Sequence, residues 1–250
     1  MEFIKAQANG NDFIIVGKDD FAEADASLLC DRHYGIGADG VLLWEKRDKG
    51  YFMEIINADG TKSSICVNGL RVLGKYLMDI ENSRCIEIFT QAGRAVVERH
   101  GRDIDAVVGL VCRASEERRL LIEEREFDIS YYHLNNHHGL YFGKWEEGDF
   151  YRYAGRLQEV LKANISFVKK TGDGRYYAMV WERGAGFTLS CGSAAMAVFY
   201  HLEKRFGAES ACIEMPGGLF MLFREKQGVR IRGGAEIVFS GRIKEESHGI

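Results

Sequence analysis

The chain has 250 residues and carries 33 Lys and Arg against 37 Asp and Glu, a net charge of −4; with no basic excess, a nucleic-acid partner is not expected. Its 46% apolar and 28% charged residues are those of a globular protein, and exclude a disordered chain, a collagen or a disulfide-dense miniprotein. No apolar run nears the roughly 18 residues of a membrane span, and Met1-Glu2-Phe3-Ile4-Lys5 lacks a basic stretch leading into an apolar one, so a soluble cytoplasmic protein with no membrane partner is expected.

Phe13 to Val16 suits a strand, and a helical stretch follows near residues 25 to 33. A strand near 51 to 56 runs into a Gly-containing turn. After Cys66 comes the clearest helix of this half, with Leu70, Leu73, Leu77 and Ile80 at helical spacing. A strand and hairpin follow, turning near His100-Gly101. The second half reads the same way: a strand at Leu140 to Phe142, a helix near 150 to 161, a strand near 176 to 181, then a helix after Cys191 carrying Ala195, Val198 and Leu202 on one face. Its hairpin turns near Lys226-Gln227-Gly228, and Ala235 to Ile243 is a final strand expected to return to the first domain.

The two halves are a repeat with an offset of 125 residues, which carries Tyr51 to Tyr176, Cys66 to Cys191, Asn11 to Asn136 and Gly93 to Gly218. Cys85-Ile86-Glu87 and Cys212-Ile213-Glu214 suggest a local slip in that offset. The expected fold is α+β, two pseudo-symmetric domains, each a mostly antiparallel sheet wrapped around a central helix. The domains are read as 1–112, joined by the C-terminal strand at 238–250, and 113–237.

Six cysteines, at 30, 66, 85, 112, 191 and 212, form no Cys-x-x-Cys pair, so reduced thiols are expected. Cys30, Cys85, Cys112 and Cys212 fit ordinary packing. Cys66 and Cys191 differ, because each begins a central helix, where unpaired N–H groups and the helix dipole favour a thiolate. If both helix starts faced one interdomain cleft, one sulfur would remove a proton from one face of a carbon while the other replaced it from the opposite face. With no cofactor site visible, the protein itself must stabilise the resulting carbanion. Backbone N–H groups around Asn68, Gly69, Gly192 and Ser193 suit the substrate α-carboxylate, the plainer alternative being that the glycines merely permit tight turns. Asn11, Asn57, Asn136, Asn164, Glu182 and Arg183 form a second constellation. Arg183 suits a carboxylate and Glu182 an ammonium, although Asn57-Ala58-Asp59-Gly60 also reads as a turn.

Two other patterns carry less. Gly35-Ile36-Gly37-Ala38-Asp39-Gly40 matches the dinucleotide fingerprint by letter, but follows a helix where that motif follows a strand. His133, His137 and His138 have ligand-like spacing without a local Cys or carboxylate, and no metal is assigned to them.

The chain resembles the diaminopimelate epimerase family nearly end to end, through Gly10-Asn11-Asp12-Phe13, Tyr34 to Gly40, Asn57-Ala58-Asp59-Gly60, Cys66 with Asn68-Gly69, Ala163-Asn164-Ile165, Glu182 to Gly186, Cys191-Gly192-Ser193 and Pro216-Gly217-Gly218. The resemblance implies pyridoxal-independent epimerisation in lysine and peptidoglycan precursor synthesis. It implies Cys66 and Cys191 as acid/base pair, Asn11, Asn57, Asn136, Asn164, Glu182 and Arg183 as ligands of an amino-acid substrate, and two domains that close on it, often within a homodimer. Val67 stands where the family usually has Gly, Asn135-Asn136-His137-His138 replaces Gly-Asn-Pro-His, and Phe187 replaces a Glu; Val67 and Phe187 are expected beside the reacting cleft. Related two-cysteine enzymes act on other amino acids, histidine among them, so a racemase of a free amino acid is the alternative, and a non-catalytic amino-acid-binding protein a further one.

Overall fold

The computed structural model describes residues 1–21, 26–109, 112–134, 136–226 and 228–243; Gln227, in the hairpin turn expected near 226–228, lies outside them. The chain divides into two compact units, Met1–Ala106 with the stretch from Gly234, and Val107–Gly233. These boundaries fall slightly before those read from the sequence. Among the described residues no helix is long and apolar enough to cross a membrane.

In the first unit β1 (Glu2–Ala8) and β2 (Asn11–Gly17) form an antiparallel hairpin. Its two turn residues, Asn9 and Gly10, have φ of 53° and 78°, the left-handed pair that matches the twist of the strands it joins. A short helix, α1 (Ala26–Cys30), leads to β3 (Gly40–Lys46), which pairs parallel to β2 and antiparallel to β4 (Tyr51–Asn57). The two-residue strand β5 (Lys62–Ser63) folds back on β4. Then come the central helix α2 (Val67–Ile80) and the strands β6 (Cys85–Thr90), β7 (Gly93–His100) and β8 (Asp103–Val108).

The second unit repeats this order. It comprises β9 (Ala114–Ile122), β10 (Arg125–His133), β11 (His137–Tyr141), α3 (Glu147–Leu161), β12 (Asn164–Gly172), β13 (Arg175–Glu182), β14 (Gly186–Thr188), α4 (Gly192–Phe206), β15 (Ser210–Met215), β16 (Gly218–Glu225) and β17 (Gly228–Gly233). The last strand, β18 (Glu236–Arg242), belongs to the first unit and pairs antiparallel with β1, as β9 does with β10 in the second. The fold is α+β, with parallel contacts only at β2–β3, β4–β6, β11–β12 and β13–β15 among the pairings described within each unit.

The offset of 125 holds without a slip at β4, β6 and β7 against β13, β15 and β16, whereas β3 and β12 are shifted by one residue against their neighbours. Tyr51 pairs with Ile88 in the first unit and Tyr176 with Ile213 in the second; Cys85 sits opposite Glu98, and Ser210 opposite Phe223. Cys85 is therefore the counterpart of Ser210, and its likeness to Cys212 is a coincidence of letters.

Each sheet wraps a helix because that helix is apolar on most of its circumference. Leu70, Leu73 and Leu77 of α2 are fully buried, each contributing about 1.5–3 kcal/mol by leaving water. Val67, Gly74 and Met78 bury a second side of α2. Ile80, expected on the buried face, is 54% exposed at the last position of α2. α2 packs on β1, β2, β6, β7 and β18, and α4 on β11, β12, β15, β16 and β17. A Cβ at Gly74 would lie 2.4 Å from Cγ1 of Val97, so this glycine sets how closely α2 approaches β7. The cores differ in kind. One cluster in the first unit is mainly aliphatic, around Ile14, Val16, Val41 and Leu43, whereas one in the second is aromatic, around Phe127, Tyr141, Phe150 and Phe167.

Candidate active site

In the first unit, Asn11 opens β2, Gly40 opens β3 and Asn57 closes β4, and the registers Phe13↔Gly40 and Gly40↔Asn57 bring all three to one edge of the sheet. Cys66 is the N-cap of α2, with extended φ and ψ of −134° and 116°. Its sulfur accepts the backbone N–H of Gly69 at 3.4 Å, which satisfies one of the free donors of the first helical turn. Gly69 is helical rather than a turn residue, and a Cβ there would meet Leu42 Cδ2 at 3.0 Å.

The Cys66 sulfur lies 3.9 Å from Asn11 Oδ1, to which Asn68 Nδ2 also donates at 3.3 Å. Asn11 Nδ2 donates to Asp39 Oδ2 at 2.7 Å. Asp39 belongs to a charged cluster in which Arg32 bonds both Asp39 and Asp12 at 2.8 Å, and Lys5 bonds Asp12 at 2.6 Å. Burial works to raise the Asp12 carboxyl, but hydrogen bonds from Arg32 and Lys5 outweigh it and hold its pKa at about 2. Asn57 does serve as a turn residue: its Nδ2 bonds Thr61 at 2.9 Å and Ser63 at 3.2 Å, and Ala58 N–H donates to the Asp39 carbonyl.

The second unit repeats this layout with different chemistry. Asn164 opens β12 opposite His138 of β11, and the pairing Ile165↔Trp181 places Glu182 and Arg183 at the same edge. Cys191 is the N-cap of α4, with φ and ψ of −137° and 112°, and its sulfur is 3.3 Å from Ser193 Oγ. Burial pushes the Cys191 thiol well up, and the neighbouring Glu182 carboxylate adds to that, against hydrogen bonds from Ser193 and the Ala194 backbone. Thr188 donates to Glu182 at 2.5 Å, the counterpart of the Asn57–Ser63 bond with its polarity reversed. Asn164 Oδ1 accepts the Arg183 N–H at 2.8 Å, so one end of this amide fixes the backbone that carries Arg183. The Arg183 and Asn136 side chains are exposed.

The structure thus gathers Cys66, Asn11, Asn68 and Gly69 in one cluster and Cys191, Glu182, Ser193 and the start of α4 at Gly192 in another. Phe187 lies on the opposite face of β14 from Thr188, 5.9 Å and 5.6 Å ring to ring from Phe150 and Tyr151, packed against the aromatic cluster. Val67 is buried at the first position of α2. The Gly35 to Gly40 segment connects a helix to a strand, held by N–H bonds from Gly35 to Asp31 and from Ile36 and Gly37 to Leu29. His133 and His137 stack face to face at 4.1 Å and 19°, which directs their rings at each other.

Three polar residues were missed by sequence reasoning: Asp39, Thr188 and above all Arg71, which is fully buried in α2 and donates to Asn68 Oδ1 at 2.7 Å. The signal for Arg71 was available, since it shares a helical face with Val67, Gly74 and Met78 and so is a charge where an apolar residue is expected.

The family model described as diaminopimelate epimerase matches residues 3–109. The chain is 31% identical over 280 residues to the diaminopimelate epimerase of Carboxydothermus hydrogenoformans, covering 96% of this chain and 98% of that one. It is 30% identical to the diaminopimelate epimerase of a Synechocystis strain, covering 98% and 99%. Its fold is similar to the crystal structure of a probable proline racemase from Agrobacterium radiobacter, with a TM-score of 0.75 at 10% identity over 99% of this chain and 94% of that one.

Proposed function

This chain belongs to the diaminopimelate epimerase family and is an isomerase, and from that premise we propose that it inverts an amino-acid α-carbon without a cofactor, with Cys66 and Cys191 as its two acid/base groups and LL-diaminopimelate to the meso form as its reaction. The observation that carries this reading is that two cysteines at equivalent places in a doubled fold both cap the N-terminus of a central helix. A sulfur there has N–H groups to stabilise negative charge when it gives up a proton.

The proposed reaction needs one sulfur as thiolate and the other as thiol. The thiolate takes the α-hydrogen, the electron pair delocalises into the α-carboxylate, and the thiol returns a proton to the opposite face. In the reverse direction the roles exchange. Burial and the Glu182 carboxylate favour the protonated form of Cys191, which suits it to the acid's part, with Cys66 as its partner base. The first-turn N–H groups of α2 and α4, around Asn68, Gly69, Gly192 and Ser193, are the donors for charge developing on the carboxylate.

The substrate assignment is supported by the relatives named above and by the polar set at the two sheet edges. Asn11, Asn57, Asn136, Asn164, Glu182 and Arg183 offer more polar groups than a single amino-acid terminus needs, which suits a substrate with a second one. The test is to follow α-hydrogen exchange with solvent deuterium on diaminopimelate in parallel with histidine and a panel of other free amino acids. Exchange confined to diaminopimelate is expected. Preferential exchange on one free amino acid would replace the substrate and keep the mechanism, and saturable binding with no exchange on any of them would overturn both.

A further inference from the structure

Arg71 is the largest wholly enclosed side chain described in the molecule. Its Nη2 donates to Asn9 Oδ1 at 3.0 Å and to Asn68 Oδ1 at 2.7 Å. A guanidinium only donates, so the Asn68 amide must turn its oxygen to Arg71 and its nitrogen the other way, where it meets Asn11 Oδ1. At the other end of the chain stands Asp39, whose carboxylate only accepts and so demands the nitrogen of Asn11. Both ends therefore impose the same sense on the two amides, and that sense leaves the Asn11 oxygen facing the Cys66 sulfur.

We propose that Arg71 and Asp39 are a pair of positioning residues which, from opposite ends of a hydrogen-bonded chain, lock the Asn68 and Asn11 amides in the sense that aims an acceptor at Cys66. The lock matters because an acceptor facing a thiol favours the protonated sulfur, whereas a flipped amide would face it with N–H and favour the thiolate. Cys66 is thus held between a group that welcomes its proton, Asn11 Oδ1, and one that welcomes its charge, the Gly69 N–H. A sulfur that must act as base in one direction and acid in the other needs both. This inference rests on the two-cysteine reading for its bearing on turnover, but the lock itself concerns the free protein.

The surrounding charges are consistent with it. Burial pulls Arg71 down to about 10, while Cys66 and Asp103 pull the other way, which leaves it cationic at neutral pH. At the Asp39 end, Arg32 is shared with Asp12, which Lys5 also binds.

The experiment is a double-mutant cycle read on the pH profile of Cys66 alkylation by iodoacetamide, followed on the Cys66 peptide by mass spectrometry in the full chain without substrate. In Asp39→Ala and Arg71→Met each remaining end still fixes the amides, so each single variant shifts the alkylation midpoint only by the charge it removes. In the double variant neither Arg71 nor Asp39 dictates the sense of the two amides. Its midpoint is expected to fall below the sum of the single shifts, with a several-fold gain in alkylation rate at neutral pH. Fixed charges acting independently would add, and an additive cycle overturns the proposal. Arg71→Lys combined with Asp39→Ala is expected to behave as Asp39→Ala alone. Should Arg71→Met fail to fold, Arg71→Gln serves in its place, because its amide fills the buried site without dictating a sense to Asn68. An additive cycle in a protein that epimerises leaves the two-cysteine reading standing, and a non-additive one in a protein with no exchange activity removes that reading alone.

Discussion

The two cysteine clusters share a backbone and differ in charge. At Cys66 the neighbouring sheet-edge residue is the neutral Asn57, and the helix position three residues after the first-turn Asn68 holds the buried cation Arg71. At Cys191 the equivalent places hold the carboxylate Glu182, Ser193 and the apolar Met196, which is 2% exposed. Even the cross-strand bond at each edge is inverted, with Asn57 donating to Ser63 and Glu182 accepting from Thr188. A doubled scaffold supplies two sulfurs in like geometry, and side-chain substitution then makes them unlike. In a two-base reaction that is what distinguishes the group that starts with the proton from the group that starts without it.

The comparison breaks most severely if either sulfur is dispensable. Cys66→Ser and Cys191→Ser are each expected to slow α-hydrogen exchange on diaminopimelate by about a hundred- to ten-thousand-fold, the usual worth of a positioned acid or base; near-normal exchange in either variant would end the symmetric scheme. A serine hydroxyl keeps the hydrogen-bonding places of the thiol while being far harder to ionise.

A second effect comes from a position where the halves differ inside the core. His138 is fully buried with neither ring nitrogen hydrogen-bonded among the described residues, and burial, with a smaller push from His137, drives its pKa from 6.5 down to about 3. Its counterpart in the first unit is Phe13. Because the folded pKa is depressed, the unfolded chain binds the extra proton between pH 6.5 and 3. The neutral ring is therefore no burden above 6.5 and costs stability progressively as pH falls below it, by about 2 kcal/mol at pH 5. His138→Phe should flatten this part of the pH–stability curve, measured by urea denaturation at pH 7 and pH 5; an unchanged slope would mean that His138 does not titrate with unfolding.

The smallest effect sharpens the contrast between the sulfurs themselves. In Glu182→Gln the carboxylate that helps hold the Cys191 proton is gone, so the alkylation midpoint of Cys191 should move to lower pH while burial keeps it above that of an ordinary thiol. The Cys66 profile should stay in place. A Cys191 profile that does not move would assign its whole shift to burial.

The elements that were legible in the sequence are those whose physics is local. Leu70, Leu73 and Leu77 announce α2 because a helix repeats its buried face every three to four residues, and the repeat of Tyr51 and Cys66 at Tyr176 and Cys191 announces the duplication. Strand β1 went unread, although Asn9-Gly10 between β-forming segments is a hairpin signal. Ile80 could not be placed from spacing, because spacing names the face of a helix and not what covers its last position. Phe187 was placed from its family position alone, and its packing against Phe150 and Tyr151 depends on which face of the strand it takes. The cysteines and most of their polar neighbours were recognisable by type and repeat register, whereas Arg71 and Asp39 act through hydrogen bonds to residues three and 28 positions away, a relation that exists only once the chain has folded.

The pairing of β18 with β1 closes the first unit with a strand that follows the second unit in the chain, and Met1 and Ile243 exchange backbone bonds at 2.9 and 3.2 Å. Synthesis from the N-terminus thus delivers the whole second unit before the first can be finished. Until then one side of β1 offers bare N–H and C=O groups, a template for any passing strand. The same clasp means that no single scission of the polypeptide releases both halves whole: a fragment ending after β8 is a sheet with its border missing, and the strand needed to seal it remains on the other piece.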